Sequence, residues 1–191
     1  VSPSPDQAVA IGASAGGVQA LLTLLPTLPA DFPWPIFIVL HVPADRGNVL
    51  APLFEAKCRL EVKEAEDKET ARPGVIYFAP SDYHLLVESN GDLALSSDEA
   101  VNYSRPSIDV LFESAADAYG AGLTGVILTG ANEDGAAGLS AVAAAGGIAL
   151  VEEPAAAYAQ AMPQAARNAC DAALALPLER IAEHLKGLGK A

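Results

Sequence analysis

Apolar residues along this chain follow two rhythms. Short unbroken runs at residues 7–11, 36–40, 75–78, 125–128 and 147–151 have the length and β-branched content of strands buried on both faces. The run at 147–151 is the last that reads clearly as a strand. Between them the spacing becomes helical. Val18, Leu21, Leu22 and Leu25 recur on one face until Pro26, and residues 48–55 and the alanine-rich 135–145 form further helices. Residues 107–118 carry Ile108, Leu111, Phe112 and Ala115 at the same spacing, and 163–169 and 178–188 supply two closing helices. Strand alternating with helix predicts a doubly wound, three-layer α/β/α domain with a mostly parallel sheet. One segment breaks the rhythm: residues 84–87 and 92–95 flank Asn90-Gly91, the signature of an antiparallel hairpin. Residues 61–69 are strongly charged and read as a solvated edge or loop.

Length and composition narrow the picture. The 191 residues suit a single domain, 1–191, with residues 1–6 expected to be disordered and no internal repeat. Half of the residues are hydrophobic but only 6% aromatic, so the core is one of Ala, Val, Leu and Ile. A net charge of −13 argues against nucleic acid and anionic membrane surfaces as partners, since both need clustered Lys and Arg. No apolar run approaches the ~20 residues of a membrane span, and the basic-then-apolar order of a secretory signal is missing, so a cytoplasmic protein is expected. The chain begins at Val1 rather than Met, which suggests trimming or excision from a longer protein. Cys58 and Cys170 stand alone in sequence, the pattern of two reduced thiols rather than a disulfide framework or a metal motif.

The candidate chemistry begins at GASAGG, residues 12–17. Gly12-Ala13-Ser14-Ala15-Gly16 satisfies G-x-S-x-G, a turn that lifts a serine hydroxyl above the end of a strand, with backbone N–H groups at the start of the following helix aimed at a developing oxyanion. The same turn could cradle a phosphate. Against that, no P-loop lysine is present, and the second strand ends in His41 where a dinucleotide site would want a carboxylate. Residues after the C-terminal ends of adjacent parallel strands converge on one crevice, so His41 meets Ser14 as its general base. A third strand end, in ILTGANEDGAAGL, offers Glu133 and Asp134. Asp134 is the candidate acid that orients the imidazole, and it is also well placed to cap the helix that follows it. His84 reads as a hydrogen-bonded structural residue near the rim of the site, and His184 as a surface residue.

Five stretches in order, GASAGGVQAL, IVLHVP, YSRPSIDVLFESAA, ILTGANEDGAAGL and MPQAA, resemble the catalytic domain of the protein-glutamate methylesterases (CheB) of bacterial chemotaxis, over about residues 8–170. The resemblance implies Ser14, His41 and Asp134 as the catalytic triad, no metal or organic cofactor, and hydrolysis of glutamate methyl esters on the cytoplasmic helices of chemoreceptors with release of methanol. It further implies deamidation of receptor glutamines. Ala15 and Gly16, with Ala131 and Asn132, fall in the oxyanion and substrate region. There the sequence departs from the family: Ala15 replaces a threonine, Ala131 a methionine and Asn132 a glycine. Arg105 is a candidate for pairing with carboxylates on an acidic receptor helix. Members often carry an N-terminal receiver domain, and too few residues precede the first strand here to form one. Two other readings stay open: the same chemistry on a signalling protein outside chemotaxis, and a receptor-binding module that does not catalyse. A nucleotide-binding module is the reading least favoured.

Overall fold

The computed structural model describes residues 6–43 and 49–190. Among these residues nine strands form in chain order: β1 (Ala8–Ala13), β2 (Ile36–Leu40), β3 (Glu61–Glu64), β4 (Val75–Phe78), β5 (His84–Val87), β6 (Leu93–Ser96), β7 (Leu123–Ile127), β8 (Ile148–Glu152) and β9 (Leu174–Leu176). Six α-helices join them: α1 (Gly17–Leu24), α2 (Leu50–Glu55), α3 (Ile108–Tyr119), α4 (Ala136–Ala144), α5 (Ala161–Ala169) and α6 (Leu178–Leu188). Seven strands pair in parallel in the order β3-β4-β2-β1-β7-β8-β9, while β5 and β6 make a separate antiparallel pair.

The period-2 alternation of a strand sorts side chains onto two faces. In β1, Val9, Ile11 and Ala13 join one core with α1, α2 and α6, and Ala8 and Ala10 join another with α3, α4 and α5. Because both faces are covered, β1 is buried from end to end and reads as one continuous apolar run. This is the expected three-layer doubly wound arrangement. The hairpin turns at Asn90-Gly91 as expected, and Leu85, Val87 and Leu93 face the α3 side of the core.

Element ends differ from the sequence reading in instructive ways. Helix α1 stops at Leu24, and Pro26 lies in a tighter 3₁₀ turn over Leu25–Thr27 rather than just beyond the helix. Its buried face is Ala20, Leu21 and Leu24, leaving Val18 and Leu22 partly exposed. Helix α5 begins at Ala161 and so carries Pro163 in its first turn, where a backbone N–H has no intrahelical partner to lose. The run at 147–151 is not the last strand. β9 was missed because three half-covered residues at a sheet edge are too few to show an alternation. The helix expected over 48–55 is seen from Leu50; Asn48 and residues 1–5 of the expected disordered N-terminus lie outside the described residues. Among the described residues no helix is long and apolar enough to cross a membrane.

Candidate active site

The sheet order reverses direction around β1. The chain passes from β1 to β2 on one side and later returns to place β7 on the other, which opens a crevice beyond the C-terminal ends of these strands. Ser14 leaves β1, His41 leaves β2 and Thr129 follows β7. Backbone hydrogen bonds extend the sheet through these exits: His41 N–H donates to the Ala13 carbonyl at 3.0 Å and Ser14 N–H to the Thr129 carbonyl at 2.9 Å. The candidate side chains are thus carried at the end of the hydrogen-bonded sheet.

His41 Nε2 lies 2.9 Å from Asp134 Oδ2. Asp134 is fully buried and accepts four more hydrogen bonds, from Asn102 Nδ2, Ser107 Oγ and the backbone N–H groups of Ile108 and Asp109. Burial pushes its carboxyl up, but the contact with His41 and the donors from Ile108, Asn102 and Ser107 outweigh that, leaving it below the usual aspartate value. A carboxylate that only accepts puts the ring proton on Nε2, so Nδ1 carries the free lone pair. The Asn132 amide sits 3.4 Å from Nδ1 through its Nδ2, and this orientation follows from its Oδ1 accepting the Asp134 N–H. Among the described residues no hydrogen bond joins Ser14 to the imidazole.

Asp134 does not cap the helix that follows it, contrary to expectation. It caps α3 from outside, while Asp109, in the first turn of α3, accepts the N–H groups of Gly135 and Gly138 at 3.0 and 2.7 Å and caps α4. The exchange is enforced by Gly135, whose φ of +96° turns the chain so sharply that Asp134 points back across the crevice. A Cβ there would meet Ile127 at 2.5 Å. Asn102 Nδ2 bridges the two carboxylates at 2.7 and 2.8 Å. Burial raises the Asp109 carboxyl, partly offset by Gly138 and Asn102 and reinforced by the charge of Asp134. Asp109→Ala leaves the buried N–H groups of Gly135 and Gly138 without an acceptor, and is expected to lower the unfolding free energy by about 2–3 kcal/mol in urea titration.

The glycine turn is held by a residue the sequence reading passed over. Thr129 Oγ1 donates to the Ala15 carbonyl at 2.8 Å and accepts the Ala159 N–H at 2.8 Å. Thr129 N–H in turn donates to the buried Glu152 carboxylate at 2.8 Å. Gly16 precedes α1 with φ +79°, and Tyr158 covers it so closely that a Cβ would lie 2.7 Å from the ring. Among the described residues the N–H groups of Ala15 and Gly16 have no acceptor, so they remain available to a ligand. Burial raises the Glu152 carboxyl and the Thr129 N–H only partly offsets it. A raised acid is most favourable protonated, so the stability it contributes is lost as pH rises through its folded value. Glu152→Gln should therefore raise Tm by about 2–4 °C at pH 7.5, a gain that fades toward pH 4 in calorimetric scans.

The remaining candidates separate. Arg105 lines a groove of about 220 Å³ together with His41, Val42, Ala79 and Tyr103. Its guanidinium is already engaged, by Asp82 through Nε and Nη2 and by the carbonyls of Ser97 and Asp98 through Nη1, which leaves little donor capacity for a substrate carboxylate. Ala131 and Glu133 are exposed on the loop before α4. His84 is buried and fully bonded, with Nε2 donating to the Glu99 carbonyl and Nδ1 accepting the Ser107 N–H. It thereby holds the serine whose hydroxyl reaches Asp134. His184 is half-buried on α6 with Nε2 unpartnered, rather than at the surface, because the helix turns that edge of the ring inward. Thr129 and Glu152 sit just after or at the ends of β7 and β8, so the strand-end rule that selects Ser14 and His41 selects them too. Asn102, Ser107 and Asp109 had no such signal.

The family model for CheB methylesterase matches residues 9–185. A Leptospira interrogans relative is 48% identical over 177 residues, covering 93% of this chain and 92% of that protein. The protein-glutamate methylesterase/protein-glutamine glutaminase 5 of Myxococcus xanthus is 41% identical, and that of Archaeoglobus fulgidus 37%; 90% and 94% of this chain match, but only 50% and 52% of those proteins. The chain thus spans about half the length of these two. The crystal structure of the Thermotoga maritima CheB methylesterase catalytic domain superposes with a TM-score of 0.89 at 35% identity, covering 95% of this chain and 98% of that one.

Proposed function

The chain belongs to the CheB methylesterase family, and on that premise we propose that it hydrolyses glutamate methyl esters on chemoreceptor helices in the cytoplasm, with Ser14 as nucleophile, His41 as base and Asp134 as the group that orients it. The observation that carries this reading is the 2.9 Å contact of His41 with Asp134 at the strand ends beside Ser14. In the reaction Ser14 Oγ attacks the ester carbonyl and its proton passes to His41 Nδ1, the nitrogen that Asp134 leaves free. The resting separation of serine and imidazole closes around substrate, as catalytic hydrogen bonds commonly do. The buried Asp134 carboxylate stabilises the imidazolium, and the N–H groups of Ala15 and Gly16 donate to the oxyanion. Collapse breaks the ester C–O bond and methoxide takes the proton from Nδ1 and leaves as methanol; Nδ1 then deprotonates a water that adds to the acyl carbon, and returns that proton to Ser14 Oγ as the acyl–Oγ bond breaks and the glutamate side chain is released. With a glutamine substrate the same steps expel ammonia. A methylated cytoplasmic fragment of a chemoreceptor, incubated with the protein, should release methanol at a rate proportional to enzyme; no release above the background rate would overturn the reading.

A further inference from the structure

The turn at 101–104 carries a side chain that the fold does not use. Val101 and Ser104 exchange both backbone hydrogen bonds, and the two residues between them, Asn102 and Tyr103, have φ of +51° and +60°. This is a two-residue hairpin turn of the type that favours Asn followed by Gly. Asn102 fits: it tolerates the left-handed region, and its amide clamps the turn to Asp109 and Asp134. Tyr103 does not. A bulky aromatic stands where glycine would be relaxed, and its relative exposure is 104%, so no internal packing offsets the strain.

Its position is specific. The turn that bears it is fastened to the carboxylate that orients His41, and the residue borders two grooves, one shared with His41 and Arg105 and the other with Asn132 and Ala161. A free aromatic ring on a rigid mount beside reacting groups is the form of an interface anchor: large contact area, few rotatable bonds.

We infer that Tyr103 is a substrate-contact residue, whose ring lies against the receptor helix next to the modified glutamate and supplies binding there. The inference rests on the proposed hydrolysis. The test is a kinetic comparison on a methylated receptor fragment, joined to thermal unfolding. Tyr103→Gly should raise KM about tenfold with kcat within twofold, the pattern of lost binding rather than lost chemistry. The same variant should raise Tm by about 2–4 °C, because glycine relaxes the left-handed position. Tyr103→Phe keeps the ring and should stay within about twofold of the parent in KM. An unchanged KM in Tyr103→Gly overturns the inference, and so does a fall in Tm with a parallel fall in kcat, which would give the ring a role in the fold. No methanol from the parent overturns the hydrolysis and this inference together, whereas release by the parent with unaltered KM in the variant overturns this inference alone.

Discussion

Replacing Ser14 with alanine is expected to lower methanol release from a methylated receptor fragment by about 10⁴-fold or more, to the residual level that oxyanion donors and binding supply without a nucleophile. The fold should not register the change. Ser14 is held through its backbone, by its N–H to the Thr129 carbonyl and its carbonyl to the Gly17 N–H, and both bonds survive in alanine. Tm should stay within about 1 °C of the parent, as for substitutions that touch no buried side chain. Release by the alanine variant at a tenth of the parental rate or more would assign the nucleophile elsewhere. The same pair of proteins, assayed for ammonia from a glutamine-bearing fragment, should lose both activities together, because one acyl-enzyme serves both leaving groups.

Asp134→Asn should damage chemistry and folding at once. An amide offers one acceptor oxygen where the carboxylate offers two, and an NH₂ in place of Oδ2 would face both the Ile108 N–H and His41 Nε2, setting donor against donor. His41 would be driven toward the tautomer with its proton on Nδ1, unable to accept from Ser14. The corresponding change in serine-protease triads costs ~10⁴ in kcat, and a similar loss is expected here. Breaking a buried charged network also lowers stability, by about 3–5 kcal/mol. The pH dependence separates this from generic damage. A carboxyl held below its ordinary value contributes stability that is present above the unfolded pKa and lost as pH falls through the folded one. The gap between parent and variant in urea unfolding should therefore be widest near neutrality and narrow below about pH 4. A gap that does not change between pH 7 and pH 3 would show that the five hydrogen bonds do not hold the charge.

The architecture was largely legible from the chain, and the reason lies in the sheet. Strands buried on both faces must be apolar throughout, so β1, β2, β4, β7 and β8 stand out as unbroken runs, and glycines and prolines between them mark where α1, α3, α4 and α6 start or stop. β9 escaped because an edge strand of three residues leaves no periodicity to detect. Of the candidate site, the rule that ligands meet residues at the strand ends of a parallel sheet singled out Ser14, His41 and Asp134, and the structure brings His41 and Asp134 into contact there. The departures Ala15, Ala131 and Asn132 could be named but not interpreted. Only in space does Asn132 turn its amide toward the imidazole while Ala131 faces outward.

What the chain alone could not contain is the exchange between α3 and α4. Local preference assigns Asp134 to the helix that follows it and gives Asp109 no role, since a carboxylate next to a helix start is usually that helix's own cap. The alternation of apolar and polar residues decided which elements form, because burial of each element depends on its own side chains. Which carboxylate serves which helix was decided by the close approach of the starts of α3 at Ile108 and α4 at Ala136, where one buried acid, Asp134, is held ionised by donors from α3, from the 101–104 turn and from His41 together. Those donors come from three separate stretches of chain. Hydrogen bonds between them depend on distances that only tertiary packing sets, and so the three residues of the proposed triad were nameable in one dimension while the network around Asp134 was not.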